Sequence, residues 1–385
     1  MLKLNKLLSS TVDSVFYDRI LPTKEQRAEL VKAKNDIRDH LRSRVAAATT
    51  TELGMDRQVV PRFSTQGSWL YKTCIQPAFL PPQEMDWDLG MYLPVTVWQE
   101  NGPPHLMAKA YFLLVERLLK ELCDDRGWHL NTGKDTCIRV HLNAAAHIDV
   151  PLYAAPDAEF AKIRERAELL AKSGNRNDSS TFDADIDEDA QLWAELTTIV
   201  LATRDGEWKE SDPEAVAGWF LDLVTEHGEQ LRRVCRYLKA WRDLNWKSGG
   251  PTSVMIMIIV ARAFVRHNGR DDRALEDAAQ LLAQGFLNDV RERGIDNGKE
   301  DFNRLNADER QEAAARASIL HRELKRARMM YPHSAQAAVD VMREQLGDRV
   351  PNRASLVDPD TGELAIRDEP ARRMPQPAVR STSAG

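Results

Sequence analysis

Residues 83–95 read Gln-Glu-Met-Asp-Trp-Asp-Leu-Gly-Met-Tyr-Leu-Pro-Val. From Glu84 to Val95 the pattern alternates, with Met85, Trp87 and Leu89 set against Asp86, Asp88 and Gly90. That is the period of a strand with one face packed, so Asp86 and Asp88 share the other face. Two neighbouring carboxylates resist burial without a cation. Asp149, between Ile148 and Val150, repeats the apolar-acid-apolar pattern on a later strand, and an adjacent strand would bring it to the same point. Three hard oxygen donors suit magnesium or manganese.

Upstream lies Gln66-Gly67-Ser68. Gly67 lets the backbone approach a phosphate closely, and Ser68 offers a hydroxyl to the phosphate or the metal. An Asp-x-Asp alone is common on exposed strands, and a Gly-Ser dipeptide alone is usually a turn. Occurring jointly with a third strand acid, they point to a site. Such a triad can hold two metals roughly 3.5–4 Å apart, one activating an attacking hydroxyl and one neutralising a leaving pyrophosphate. The chemistry of that arrangement is nucleotidyl transfer.

The 385 residues favour two packed lobes. Thr23 to Gln26 has capping-box spacing, and Leu30, Ile37, Leu41 and Val45 then recur at helical spacing, predicting a long amphipathic bracing helix. A helix over Leu106–Cys123 and strands over Lys134–Leu142 and His147–Tyr153 follow. Ser173–Asp189 turns polar and acidic, which predicts a loop near a soft boundary. From Asp212-Pro213 the pattern is helical almost to Gly347, in segments 215–225, 228–246, 252–267, 272–290, 306–330 and 334–346. The expected organisation is a bracing helix with a catalytic core over 1–205, a helical lobe closing the cleft over 206–347, and a flexible tail over 348–385, proline-rich from residue 351.

Hydrophobic residues make up 43% and charged residues 29%, an ordinary globular composition. A net charge of −6 disfavours a general grip on nucleic-acid backbone. Cys74, Cys123, Cys137 and Cys235 form no C-x-x-C pair, which gives neither a zinc ribbon nor a disulfide framework and suits a reducing cytoplasm. Asn5, Ser9, Ser10 and Asp13 interrupt the apolar run that a signal peptide needs, and Val254–Ala261 is far short of the roughly 20 residues of a spanning helix. No membrane association is expected. Asp183-x-Asp185-x-Asp187 starts like a calcium loop, but Glu188 and Ala194 stand where that loop needs a glycine and a bidentate acid. Gly294–Lys299 is one residue short of a P-loop and is followed by Glu300.

Taken together, these residues resemble the nucleotidyltransferase fold of the DNA polymerase β type, and more closely the bacterial cGAS/DncV-like nucleotidyltransferases of anti-phage CBASS operons. Arg62–Ser68, Gln83–Asp88, His147–Pro151 and Cys235–Ser253 carry the resemblance over about 60–255. It implies an α+β fold with a small mixed-sheet lobe and an all-helical lobe. It also implies that Asp86, Asp88 and Asp149 bind two Mg²⁺ or Mn²⁺ ions, with Gln66, Gly67, Ser68, Lys239 and Ser253 around the donor triphosphate. Lys239 makes independent sense as a cation near the apolar face of Leu231, Val234, Cys235 and Leu238. By the same resemblance Tyr71 stacks on the donor base and Arg139 belongs to the acceptor pocket.

The implied reaction joins ATP and GTP, or other nucleoside triphosphates, into a cyclic dinucleotide, 3′,3′-cyclic GMP-AMP first among the products, which activates a downstream effector. The chain lacks a His/Cys cluster like the zinc insertion of animal cGAS, so no DNA activator is expected. Ala384-Gly385 resembles the small C-terminal residues that ubiquitin-transfer-like partner enzymes join to targets, with a plain chain end as the other reading. Two functional alternatives stay open: a linear or macromolecule-directed nucleotidyltransferase of the same fold, and a catalytically silent nucleotide-binding or scaffold protein.

Overall fold

A computed structural model describes residues 1–11, 13–94, 104–156, 160–162, 199–210 and 213–361. Its strands are β1 (Leu2–Lys3), β2 (Arg62–Gln66), β3 (Met85–Pro94), β4 (His129–Asn131), β5 (Ile138–Asn143), β6 (Ala146–Val150), β7 (Leu152–Ala155), β8 (Val200–Ala202), β9 (Trp208–Glu210) and β10 (Asp358–Pro359). Its α-helices are α1 (Asn5–Leu8), α2 (Phe16–Ile20), α3 (Lys24–Thr51), α4 (Gly67–Leu70), α5 (Pro104–Arg126), α6 (Pro213–His227), α7 (Glu229–Asn245), α8 (Ser253–Ala261), α9 (Asp271–Gly285), α10 (Arg293–Asp296), α11 (Ala307–Arg328) and α12 (Ala335–Leu346).

β3 organises the sheet lobe. On one edge it pairs antiparallel with β2. On the other it pairs parallel first with β6 and then with β7, the two runs separated at Pro151. β5 and β4 extend the sheet beyond β6, and β8 and β9 extend it beyond β7. Trp87 and Met85 are buried as the alternation requires, and they sit in one core with Leu30, Ile37, Leu41 and Val45 of α3 and Tyr111, Phe112, Val115 and Leu119 of α5. Each such fully buried side chain is worth about 1.5–3 kcal/mol. α3 starts at the expected cap: Gln26 N–H donates to Thr23 Oγ1, and Thr23 N–H donates to Gln26 Oε1.

The second core belongs to α6–α9, α11 and α12, with α8 so apolar that Met255–Ala261 is buried throughout. Residues 2–20 pack into this helical core through Leu4, Leu7, Leu8, Phe16 and Ile20. The two cores meet at α4, where Trp69 packs with the sheet core and Leu70 and Tyr71 with the helical core. Trp69 stacks on Trp87 at 4.6 Å, and its Nε1–H donates to the Asp86 carbonyl at 2.8 Å, fixing α4 beside the acid strand. Gln83 Nε2 donates to the Asp243 and Trp246 carbonyls at 2.7 and 2.8 Å, tying the start of β3 to the end of α7.

The expectation of a flexible tail over 348–385 is corrected as far as residue 361, where the described residues end. Leu356 and Val357 are buried, β10 pairs antiparallel with β1, and Arg270 bonds Asp360 at 2.7 Å. Apolar burial and a partly buried ion pair hold this segment despite its proline content. The acidic 173–189 stretch and the Ala384-Gly385 terminus lie outside the described residues. The segment Gly294–Lys299 is a turn in which Asp296 accepts from the amides of Gly298, Lys299 and Glu300, so it is no phosphate loop. Among the described residues no helix is long and apolar enough to cross a membrane.

Candidate active site

Strand pairing sets two rows of side chains across one face of the sheet. In one row Gln66 pairs with Asp88, Asp88 with Asp149, Asp149 with Arg139, and Arg139 with Asn131. In the adjacent row Asp86 pairs with His147, His147 with His141, and His141 with His129. Residues directly opposite on paired strands point the same way. The acids expected from sequence therefore share one face because β6 lies parallel beside β3 in this register, with Asp86 and Asp149 within ligand distance of each other and Asp88 paired beside Asp149.

Gly67 makes the convergence sterically feasible. Its φ of +61° lies in the left-handed region, and a Cβ there would fall 2.0 Å from Asp88 Oδ2. The Asp88 carboxylate packs directly over the glycine that opens α4. The Gly-Ser turn and the acid strand are thus fitted to each other.

Burial, together with the charges of Asp86 and Asp149, pushes the Asp88 carboxyl well above its ordinary range. Burial also opposes ionisation of Asp149, but Arg139 outweighs it and holds that carboxyl below its usual value. The pair is bidentate: Arg139 Nε and Nη2 donate to Asp149 Oδ1 and Oδ2, both at 2.7 Å. His147 lies between two acids, with Nδ1 2.5 Å from Glu84 Oε2 and Nε2 3.0 Å from Asp86 Oδ1. Its desolvation would lower its pKa, yet the Asp86 contact wins and raises it. Asp86, His147 and Asp149 each offer a ligand atom within 4.8 Å of the others.

The residues present fit a divalent ion. Asp86 Oδ1 is buried without a hydrogen bond of good geometry, the donors are hard oxygens, and Asp88 is held back from ionising by its own neighbours. Among the described residues no cation lies within ion-pair distance of Asp88.

These groups line a cleft of about 640 Å³ between the lobes. Gln66, Gly67, Ser68 and Tyr71 line it from the α4 side, and Lys239 and Ser253 face it from α7 and α8. Gln66 Nε2 donates to the Tyr92 hydroxyl at 2.6 Å, and the Tyr153 hydroxyl donates to Gln66 Oε1 at 3.2 Å, so this glutamine is braced beneath the site. Lys239 is buried, which lowers its pKa to about 8, and its Nζ donates to the Thr73 carbonyl at 2.8 Å. Ser253 stands in the first turn of α8, its Oγ accepting from Arg242 Nη1 at 3.1 Å. Tyr71 is mostly buried, its ring edge-on to Phe220 at 6.2 Å. Arg139 contacts the site through Asp149 rather than through the cleft wall.

His147 and Glu84 were not singled out from sequence. The signal was present: Glu84 precedes Asp86 by two residues and His147 precedes Asp149 by two, which puts each on the face of its strand's acids.

Comparison with known proteins gives two family matches: "Cyclic GMP-AMP synthase DncV-like, nucleotidyltransferase domain" over residues 61–153 and "Cyclic GMP-AMP synthase, C-terminal domain" over 228–359. Together they take in more than half of the chain. A cyclic GMP-AMP synthase of Vibrio cholerae is 37% identical over 234 residues, 59% of this chain and 52% of that protein. One from Escherichia coli is 38% identical over 235 residues, 59% and 53%. The chain spans about half the length of the curated relatives it matches. The crystal structure of V. cholerae DncV cyclic AMP-GMP synthase superposes with a TM-score of 0.73 at 24% identity, covering 93% of this chain and 99% of that one. E. coli DncV in its 3′-deoxy GTP-bound form gives 0.70 at 25% identity, covering 93% and 100%.

Proposed function

The chain belongs to the DncV-like nucleotidyltransferase family, and on that premise we propose that it joins nucleoside triphosphates into a cyclic dinucleotide, with 3′,3′-cyclic GMP-AMP first among the products. The observation that carries this reading is the row Gln66, Asp88, Asp149 packed over Gly67 and opposed across the cleft by Lys239 and Ser253. A cleft of that size, acidic on one wall and cationic on the other, suits metal-bound triphosphates. A related structure, V. cholerae DncV, was solved with the linear intermediate 5′ pppA(3′,5′)pG.

Asp86, Asp88 and Asp149 would hold a pair of Mg²⁺ or Mn²⁺ ions, which when bound supply charge neutralisation on the phosphates and a lowered pKa for the attacking hydroxyl. Around the donor triphosphate, Gly67 permits close backbone approach, Ser68 offers its hydroxyl, and Lys239 exchanges the Thr73 carbonyl for a phosphate oxygen. Ser253 and the first-turn amides of α8 other than that of Met255, which the Thr252 side chain caps, add donors for the same anion. Tyr71 forms a wall for the donor base, and Arg139 fixes the orientation of Asp149 on the acceptor side. In the reaction the acceptor 3′-oxygen bonds to the donor α-phosphorus, the bond to the β-phosphate bridging oxygen breaks, and pyrophosphate leaves. A second transfer within the linear intermediate closes the ring. In this reading the product is a cytoplasmic second messenger that activates an effector in anti-phage defence.

The test is incubation of the purified chain with all four labelled nucleoside triphosphates and Mg²⁺ or Mn²⁺, then phosphatase treatment and mass spectrometry. A phosphatase-resistant cyclic product is expected. Linear or protein-attached label alone would replace this reading with the linear or macromolecule-directed one, and no incorporation under either metal would refute turnover by the isolated chain.

A further inference from the structure

Beyond Asp86, the second row on the sheet face holds side chains that nucleotidyl transfer does not use. Three histidines stand side by side across three strands: His129 on β4, His141 on β5 and His147 on β6. Adjacent rings are 6.0 and 5.7 Å apart between centroids. Glu84, just before β3, turns its carboxylate to the inner two: Oε2 lies 3.1 Å from His141 Nδ1 and 2.5 Å from His147 Nδ1. The three side chains offer ligand atoms all within 4.8 Å of one another.

We propose that Glu84, His141 and His147 form a binding site for a transition-metal ion of the zinc class, separate from the carboxylate site for the hard ions. Two imidazoles and one carboxylate select zinc, cobalt or nickel over magnesium, which prefers an all-oxygen shell. A metal ion would replace the hydrogen bonds that Glu84 Oε2 accepts from the two rings. Tetrahedral coordination with bonds of about 2.0 Å puts ligand atoms roughly 3.3 Å apart, so the observed separations need adjustments that side-chain rotation can supply. Three protein ligands leave a fourth position open to water.

A further feature singles out this cluster. A metal-bound histidine characteristically donates its other ring N–H to a carboxylate, which fixes the tautomer and the ring. Here His147 Nδ1 faces the proposed metal position, and its Nε2 lies 3.0 Å from Asp86 Oδ1, each of these two atoms buried and without a well-formed hydrogen bond. Metal at Nδ1 would fix the proton on Nε2 and aim it at Asp86. The site is therefore built from the sheet inward, and its outer carboxylate is one of the acids of the cleft.

The experiment uses the full chain, stripped with chelator and dialysed, then titrated with Co²⁺ in the presence of excess Mg²⁺ and followed by visible absorption, with Zn²⁺ stoichiometry measured by elemental analysis. One equivalent of Co²⁺ with tetrahedral ligand-field bands, displaced by Zn²⁺, is expected. His141→Gln and Glu84→Gln should each weaken binding at least tenfold, whereas Asp88→Asn should leave it within twofold. Circular dichroism and melting of each variant identify any that fail to fold, and the second variant then carries the test. No binding above the Mg²⁺ background would overturn the proposal. So would binding that folded His141→Gln and Glu84→Gln chains retain, or binding lost with Asp88→Asn, which would put the ion among the cleft carboxylates instead. The readout does not depend on turnover, so it stands or falls apart from the nucleotidyl-transfer reading.

Discussion

Replacing Gly67 by alanine tests how the turn and the acid strand depend on each other. Two costs enter. A non-glycine residue in the left-handed region costs roughly 1–2 kcal/mol in backbone energy. In addition, the new Cβ would lie 2.0 Å from Asp88 Oδ2 and 3.0 Å from its Cγ, so the carboxylate must withdraw by more than 1 Å to reach an ordinary contact at 3.4 Å or beyond. A misplacement of that size at a reacting centre costs about 10²-fold in rate. Gly54 separates the two costs, since its φ is +65° and nothing lies within 4 Å of a built Cβ. Gly54→Ala should therefore lower Tm by a few degrees and leave kcat unchanged. Gly67→Ala should lower Tm at least as much and reduce kcat about 100-fold, measured by pyrophosphate release at saturating nucleotide. Near-normal kcat in Gly67→Ala, or an equal loss in Gly54→Ala, would refute the claim that Asp88 rests on this glycine.

Three other outcomes follow from the electrostatics. Asp88→Asn should melt higher than the parent at pH 7.5 in EDTA, because burial and two acidic neighbours make the ionised form costly. For a carboxyl raised in the folded state, its stabilising contribution is present at low pH and lost as pH rises through the folded pKa, so the gap should close on acidification; a lower Tm for Asp88→Asn at pH 7.5 would contradict this. Arg139→Met leaves Asp149 buried without its bidentate partner and should cost about 3 kcal/mol in urea unfolding, most of it recovered by adding Asp149→Asn; no recovery would place the role of Arg139 elsewhere. Lys239, with a pKa lowered to about 8 by burial, should lose its charge between pH 7 and 9, so nucleotide affinity should fall over that range in the parent but not in Lys239→Arg; matching profiles would remove Lys239 from phosphate binding.

The parts of this molecule legible in sequence are those set by local pattern. The alternation around Asp86 gave the right strand and face, Thr23 to Gln26 the right helix start, and Asp212-Pro213 onward the helical lobe, although the helices expected over 252–267 and 272–290 stop at Ala261 and Gly285 and the short α10 was not foreseen. What escaped depends on contacts distant in sequence. β2 is Arg-Phe-Ser-Thr-Gln, polar in composition, yet Ser64, Thr65 and Gln66 are buried because β3 covers them and Ser64 bonds Glu214 from the other lobe. β10 is only two residues long and has no pattern of its own; it forms where the chain returns to pair with β1. The contact of Arg139 with Asp149 requires the β5–β6 register, which no residue spacing along the chain reveals.

The charges of the site also explain why its acids differ. Asp149 has Arg139, and Asp86 has His147; among the described residues no such partner lies beside Asp88. Three carboxylates on one sheet face would repel one another, and two of them have partners on the neighbouring strands, Arg139 on β5 for Asp149 and His147 on β6 for Asp86. The carboxyl left without such a partner is that of Asp88, over Gly67, at the point where the turn, the acid strand and the far wall of the cleft come together. A divalent ion arriving with a triphosphate relieves the largest repulsion there, so binding of the ion and the anion at Asp88 should be mutually reinforcing. His147 and Arg139 would hold Asp86 and Asp149 in place before the substrate arrives, and the ion that comes with the substrate completes the balance at Asp88.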